Sequence, residues 1–230
     1  STNRALKRQY HASKLVHGEV LWALDQQKGK GQRESQWLSQ PNKNLTFSFF
    51  LSPDQLTLPT VFVLNCWVAL AVRSALISFG IPAVSIKWPN DILSENKKIC
   101  GLLIENLYRG QKHNGSIVGI GLNVNQLEFP DLKRASSMQL AAGRPFVVEE
   151  VMMRILENLT DYLTSGMVVS DSFSAFNKAL FGLGEKRSFL AEGQAFQATV
   201  DSVNEQGELI LKTEDDQFRT FQHKTVEWVY

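Results

Sequence analysis

The stretch that most constrains this chain is Lys87-Trp88-Pro89-Asn90-Asp91 followed by Ile92 to Asn106. Val84, Ile86 and Trp88 alternate with Ser85 and Lys87, the period of a strand with one buried face. Pro89 has no backbone donor and holds Trp88 extended, so the strand must break or leave its ladder there, presenting Asn90 and Asp91 at a strand end. Ser94-Glu95-Asn96-Lys97 is a polar tetrad suited to a hairpin turn, and Lys98 to Glu105 returns as an apolar strand. With that turn Leu93 faces Lys98, and Asp91 becomes its diagonal neighbour on the same face, within reach of a lysine stem. An exposed pair of this kind contributes little by itself, so its meaning depends on its surroundings.

Those surroundings are a chain of 230 residues, 43% hydrophobic, which suits one α/β domain with a small appendage and a sizeable core. Basic and acidic residues nearly cancel, 24 against 23, which advertises neither nucleic acid nor a membrane surface; anion binding must be local. Cys66 falls in an expected helix and Cys100 in a strand, with neither metal-ligand spacing nor a disulfide framework, so a reducing cytosol is expected. Leu58 to Phe79 is the most apolar long run, yet Asn65, Arg73, Ser74 and Ser78 interrupt it, and it reads as a buried helix bracketed by Pro59 and Gly80. No secretory apolar segment opens the chain.

Ser1, Thr2 and Asn3 are helix N-cap types, and free N–H groups at such a terminus also suit a polar ligand. Val20 to Gln26 reads as a strand leading into Gln26-Gln27-Lys28-Gly29-Lys30-Gly31-Gln32-Arg33, where glycines interleaved with cations suit backbone amides wrapped round an anion. Leu45 to Leu51 alternates as a strand with Phe47, Phe49 and Leu51 on one face. In Ile117 to Asn125, Gly119, Gly121, Asn123 and Asn125 share one face while Val118, Ile120, Leu122 and Val124 share the other. Two glycines on one face predict a close approach to the backbone, and Asn123 offers an amide with donors and acceptors. Leu127 to Arg144 reads as irregular, Glu149 to Thr164 as a helix ending at Gly166, and Asp171 to Phe181 as a shorter helix. After Gly182-Leu183-Gly184 come short alternating strands, with turns at 204–207 and 214–216.

Lys-Trp-Pro-Asn-Asp followed by Lys98-Ile99-Cys100-Gly101-Leu102-Leu103-Ile104-Glu105 resembles the central signature of the biotin protein ligases, of the monofunctional type without a DNA-binding domain. Ser1-Thr2-Asn3, the Gly29-Lys30-Gly31-Gln32-Arg33 loop with Trp37, and Gly119-Ile120-Gly121-Leu122-Asn123-Val124 resemble three more segments of that family, in order. The resemblance begins at Ser1, one strand late, which predicts further chain upstream. It implies an α+β fold: a mixed or antiparallel sheet flanked by helices, like the catalytic domain of class II aminoacyl-tRNA synthetases, over residues 1–182, and a small SH3-like β-barrel over 185–230. It also implies ATP-dependent formation of biotinyl-5′-AMP and transfer of biotin to a lysine of the carboxyl carrier protein of acetyl-CoA carboxylase. Cytoplasmic location, Mg²⁺ brought with ATP, no nucleic acid, no membrane and a monomer or homodimer complete the expectation.

By resemblance Lys98, Asp91, Lys30 and Arg33 carry the chemistry, with Asp91 holding Lys98. Biotin falls to Ser1, Thr2, Asn3, Gln26, Gly29, Lys30, Gly31, Gln32, Trp37, Lys98 and Gly101. ATP or the adenylate falls to Lys30, Arg33, Trp37, Asn90, Lys98 and Asn123, and Lys186 or Arg187 could reach a nucleotide from the domain junction. Three positions depart from the family loop: Lys30 replaces arginine and loses its bidentate fork, Gln32 stands where some members carry arginine, and Glu34 replaces a glycine. Weak retention of the reactive intermediate, or a biotin-responsive regulator that has lost catalysis, would follow from these; a lipoate or octanoate ligase is the nearest enzymatic rival. Gln32→Arg is expected to lengthen the lifetime of bound adenylate, and an unchanged release rate would count against that.

Overall fold

The computed structural model describes residues 1–12, 14–31, 36–53, 60–164 and 168–229. Its centre is a six-stranded antiparallel sheet made of β1 (Val20–Ala23), β4 (Asn44–Leu51), β5 (Val84–Lys87), β6 (Asp91–Ser94), β7 (Lys97–Arg109) and β8 (Lys112–Asn123), in the spatial order β1-β4-β8-β7-β6-β5. A two-stranded ribbon, β2 (Gly29–Lys30) with β3 (Gln36–Trp37), stands apart from it.

The two faces of the sheet are covered differently. On one, Phe47, Phe49, Ile120 and Leu122 pack into a large core with α2 (Val61–Ser78), α4 (Val148–Thr164) and α5 (Val169–Lys178). α2 is long and apolar enough to cross a membrane by length and composition, but it is mostly buried here, and Gly80 follows its end with φ at +79°. On the other face lies α1 (Thr2–His11), whose Leu6 packs with Phe50, Leu107 and Ile117. The Ser1 hydroxyl caps α1 by accepting from the Arg4 N–H. Ser1, Thr2 and Asn3 at the start of α1 line a cavity on this face.

The expected strand forms as β4, and every one of its residues is buried, because helices cover one side and α1 and the chain around it cover the other. The segment expected to be irregular contains a short helix, α3 (Met138–Ala142), capped by Ser137 and ended by Gly143 in the left-handed conformation. Pro59, Gly166 and the loop residues Gln32, Arg33 and Glu34 lie outside the described residues.

A second antiparallel sheet follows, ordered β12-β11-β10-β9-β13, from β9 (Lys186–Ala191), β10 (Gln194–Val203), β11 (Leu209–Thr213), β12 (Phe218–Phe221) and β13 (Glu227–Val229). Its residues Phe189, Val200 and Leu211 join the same buried cluster as the helical side of the central sheet. The turn after β10 closes on the central motif: Trp88 Nε1 donates to the Gly207 carbonyl at 2.9 Å, and His223 meets the Trp88 ring edge-on at 6.0 Å.

Candidate active site

The hairpin that carries the site forms as its residue types require. Leu93 pairs with Lys98 and Ser94 with Lys97, leaving Glu95 and Asn96 as a two-residue turn with φ at 47° and 67°, the left-handed pair of a type I′ hairpin. Behind the turn the register shifts: Ile92 pairs with Cys100 and Asp91 with Gly101, so β7 carries one extra residue, Ile99. The bulge places Asp91 opposite a residue without a side chain. The Lys98 stem passes over that bare position, its Cε and Nζ each 3.4 Å from where a Cβ on Gly101 would stand. Its ammonium reaches Asp91 Oδ1 at 2.6 Å, a charge contact rather than a well-directed hydrogen bond. Asp91 is 17% and Lys98 38% exposed, so the pair is neither surface decoration nor sealed in the core.

One row of directly paired residues crosses all six strands: Ala23, Thr46, Gly121, Gly101, Asp91 and Lys87. Paired residues share a face, so the two adjacent glycines make a trough in the sheet with Asp91 and Lys87 at its end. The Trp37 ring lies in this trough. A Cβ on Gly121 would stand 2.5 Å from Trp37 Cε2, and one on Gly101 would stand 3.1 Å from Trp37 Cζ3. The Lys98 ammonium sits 5.7 Å from the Trp37 ring centre. Gly29 pairs with Trp37 in the ribbon and leaves no room for a Cβ beneath the Trp37 carbonyl, so the glycine of the loop serves to hold the tryptophan over the sheet.

In the next row Ser48, Gly119 and Leu103 are paired, and Asn3 descends from the start of α1 onto Gly119. Ser48 Oγ lies 2.6 Å from both Thr2 Oγ1 and Asn3 Oδ1; Asn3 Nδ2 donates to Glu105 Oε2 at 3.0 Å, and the Thr2 N–H donates to Gln26 Oε1 at 2.9 Å. A Cβ at residue 119 would overlap the Asn3 amide. Gly119→Ala will therefore displace Asn3 and is expected to weaken binding of a ligand held on this side by about 5- to 150-fold, since a buried polar group left unpaired costs about 1–3 kcal/mol. Calorimetric titration with biotin, the ligand expected from the sequence resemblance, checks it, and unchanged affinity contradicts it.

Two cavities meet at Trp37. The first, of about 350 Å³, is lined by Ser1, Thr2, Asn3, Gln26, Lys30 and Gly31 on one side and by Asn90, Asp91, Lys98 and Gly101 on the other. The second, of about 530 Å³, is lined by Asn123, Leu132 and Arg134 among others. Lys87, Asp91, Lys98 and Trp37 belong to both. Asn123 donates to the Ser136 carbonyl at 2.9 Å while its own buried Oδ1 has no partner among the described residues, and neither has Trp37 Nε1. Native proteins rarely leave such atoms orphaned, and here both sit at the cavities where a ligand can meet them.

The residues expected from sequence thus converge, with four qualifications. Gly29 lines neither cavity but packs on Trp37. Asn90 faces the first cavity rather than the second, and its amide donates to the Leu102 carbonyl at 2.6 Å, fixing the turn. Gln32 and Arg33 fall outside the described residues. Lys186 and Arg187 do not reach either cavity: Lys186 pairs with Glu214, and Arg187 with Glu185 beneath its stacking on Phe181.

Sequence reasoning missed the residues that arrive from far along the chain. Glu227 and Trp228 of β13, with His223 and Val226 from the connection before it, wall the first cavity, with the Lys87 ammonium 5.8 Å from the Trp228 ring centre. Burial, with Lys98 and Arg134 nearby, lowers the Lys87 ammonium below the usual lysine range against the opposing pull of Asp91. Its membership of the Lys-Trp-Pro-Asn-Asp motif was the one available signal. Burial pushes both cysteine thiols up, which leaves Cys66 and Cys100 unreactive.

A trough of glycines under a tryptophan, a lysine held by an aspartate, and two joined cavities define a site for bringing an organic ligand and an anion together. Residues 1–123 match the biotin/lipoate A/B protein ligase family, and the chain belongs to that family. It is 29% identical over 206 residues to the bifunctional ligase/repressor BirA of Bacillus subtilis, covering 86% of this chain and 62% of that protein. It is 24% identical over 221 residues to a biotin–[acetyl-CoA-carboxylase] ligase of Mycobacterium tuberculosis, covering 92% of this chain and 79% of that one. The biotin protein ligase of Aquifex aeolicus, solved with biotin and ATP, superposes with a TM-score of 0.83 at 29% identity, over 100% of this chain and 95% of that one. The fold is a mixed α/β fold similar to such ligases.

Proposed function

We propose that the chain is a biotin protein ligase, joining biotin to ATP as biotinyl-5′-AMP and then transferring the biotinyl group to a lysine of the carrier protein of acetyl-CoA carboxylase. The observation that carries this is the Lys98–Asp91 pair at the meeting point of the two cavities. Biotin takes the first cavity, under the Ser1, Thr2 and Asn3 end of α1, and the nucleotide takes the second, with adenine at Asn123. Trp37 stands between them.

The first step drives a carboxylate into a polyanion, and two like charges ~4 Å apart repel by about 4 kcal/mol at an effective dielectric near 20. Lys98 offsets that repulsion from the place where both ligands meet, and Asp91 keeps it charged and aligned. Lys30 lines the biotin side and Arg33 follows it in the loop, so both are proposed to add charge when ligand is bound. Among the described residues no cluster of three metal-ligating side chains forms, and Mg²⁺ is proposed to arrive with the triphosphate and neutralise it. The carboxylate oxygen bonds to the α-phosphorus as pyrophosphate leaves; the carrier amine then attacks the biotinyl carbonyl and AMP leaves.

As part of the same reading, residues 1–182 form a catalytic domain akin to class II aminoacyl-tRNA synthetases and 185–230 an SH3-like barrel, supported by the antiparallel order of the two sheets. A cytoplasmic setting is supported by two free, buried thiols. The test is incubation with biotin, ATP, Mg²⁺ and apo carrier domain, with mass spectrometry of the carrier. Biotinylation at a single lysine is expected, and an unmodified carrier overturns the reading.

A further inference from the structure

Glu105 ends the apolar strand that returns from Lys98, and the ligase reading gives it no task. It follows Gly101 and Leu103 at every second position of β7, on the same face, yet it lines neither cavity. Its carboxylate grips the start of α1 instead: Asn3 Nδ2 donates to Glu105 Oε2 at 3.0 Å and to the Leu103 carbonyl at 3.2 Å, and the Lys7 ammonium donates to Glu105 Oε1 at 3.3 Å. Carboxylate and carbonyl oxygens only accept, so the Asn3 amide has one orientation, with Oδ1 turned to Ser48. That orientation decides where two further protons go. Ser48 Oγ is 2.6 Å from Asn3 Oδ1, and two oxygens that close need a proton between them, which only the hydroxyl can give. Ser48 then has lone pairs alone for Thr2 Oγ1, also 2.6 Å away, so the Thr2 hydroxyl donates to Ser48. Were Thr2 to donate to Gln26 Oε1 at 3.4 Å instead, two oxygens without a proton would face each other among buried residues, and Gln26 Oε1 already accepts the Thr2 N–H at 2.9 Å.

Resting on the ligase reading, we propose that Glu105 and Ser48 are positioning residues that fix the direction of this chain, from Thr2 through Ser48 and Asn3 to Glu105, so that Thr2 Oγ1 faces the first cavity as the acceptor of a ligand N–H. Neither Glu105 nor Ser48 lines that cavity, whereas Thr2, Asn3 and Gln26 do. Gln26 has its oxygen committed to the Thr2 N–H and keeps its NH₂ group to donate. Thr2 and Gln26 together thus fit a group that both gives and takes a hydrogen bond, which the cyclic urea of biotin does and an alkyl chain or a dithiolane ring does not. A site built to hydrogen-bond a ligand N–H discriminates against analogues without it, because its own polar groups are then left unpaired.

Glu105→Gln keeps the shape but turns its oxygen to the Lys7 ammonium and its NH₂ to Asn3, which reverses the Asn3 amide and the chain behind it. Ser48→Ala removes the middle hydroxyl and leaves that of Thr2 free to turn. Both variants, as the whole chain, are titrated calorimetrically with biotin and with the two cyclic carbamates in which one or the other ring N–H is replaced by oxygen. Each variant should bind biotin about 2- to 12-fold more weakly, the scale of one hydrogen bond, while the carbamate that lacks the N–H taken by Thr2 binds parent and variants alike. Parental biotin affinity in either variant, or an equal loss for biotin and both carbamates, would overturn the assignment. So would a parent that binds both carbamates as tightly as biotin, a result that needs no variant to fold. A parent that binds no biotin at all would overturn the ligase reading itself.

Discussion

Replacing Lys98 with alanine will lower biotin-dependent pyrophosphate release by on the order of 10²- to 10³-fold, the usual cost of removing one preorganised group that stabilises transition-state charge. The fold will survive, because Ile99 at the bulge and Cys100 beside it are fully buried and the strand register rests on main-chain pairing. A thermal melt within a few degrees of the parent's will separate the two effects. The substitution also strands the Asp91 carboxylate beside an incoming polyanion. A Lys98→Ala, Asp91→Ala double variant tells which loss dominates. If the lysine acts on the transition state, the double variant stays as slow as the single one; recovery toward the parent would mean that the exposed carboxylate was the cause. Parental turnover in Lys98→Ala would remove Lys98 from the chemistry.

Gly121→Ala should have the second-largest effect, although it adds a single methyl group. That methyl would stand 2.5 Å from Trp37 Cε2 and 2.8 Å from Cδ2, the body of a rigid ring rather than the far end of a flexible chain, so the ring must leave the trough. Trp37 is shared by both cavities, hence biotin and ATP affinities should fall together, by about 5- to 150-fold if overpacking of about 1–3 kcal/mol is expressed at the site. Gly101→Ala meets the ring at 3.1 Å and the Lys98 stem at 3.4 Å, contacts that small shifts relieve, and it should be the milder of the two. Titration of each variant with each ligand, alongside the tryptophan emission spectrum, tests the order. Equal effects, or loss of one ligand alone, would contradict Trp37 as the partition.

How much of this was legible in the sequence follows from the range of each interaction. Asp91 and Lys98 are brought together by a hairpin whose turn is written in Ser94 to Lys97, and the bare face of β8 is visible in the spacing of Gly119 and Gly121. The bulge at Ile99 was not legible, because alternation is the same with or without one extra residue until the partner strand is known. Which side chains fill the bare face was also hidden: Asn3 and Trp37 come from separate segments and meet those glycines only in the folded chain. The closure of the first cavity by His223, Glu227 and Trp228 was least accessible, since it depends on how the second sheet docks on Trp88. Charge near the junction was expected from Lys186 or Arg187, but both are held by acidic neighbours. The helix α3 escaped notice because five residues are too few to show a period, although Ser137 and Gly143 carry the cap signals.

The central claim is that one lysine-bearing ribbon lets a carboxylate and a triphosphate react across Trp37. The most direct test is single-turnover mixing of the chain with ATP, Mg²⁺ and biotin in the absence of any carrier, following pyrophosphate and the enzyme-bound product. The account predicts one pyrophosphate released per site with biotin, biotinyl-5′-AMP as the product, and no release with lipoate or octanoate. Pyrophosphate release independent of biotin, or none under saturating biotin and ATP, would contradict it.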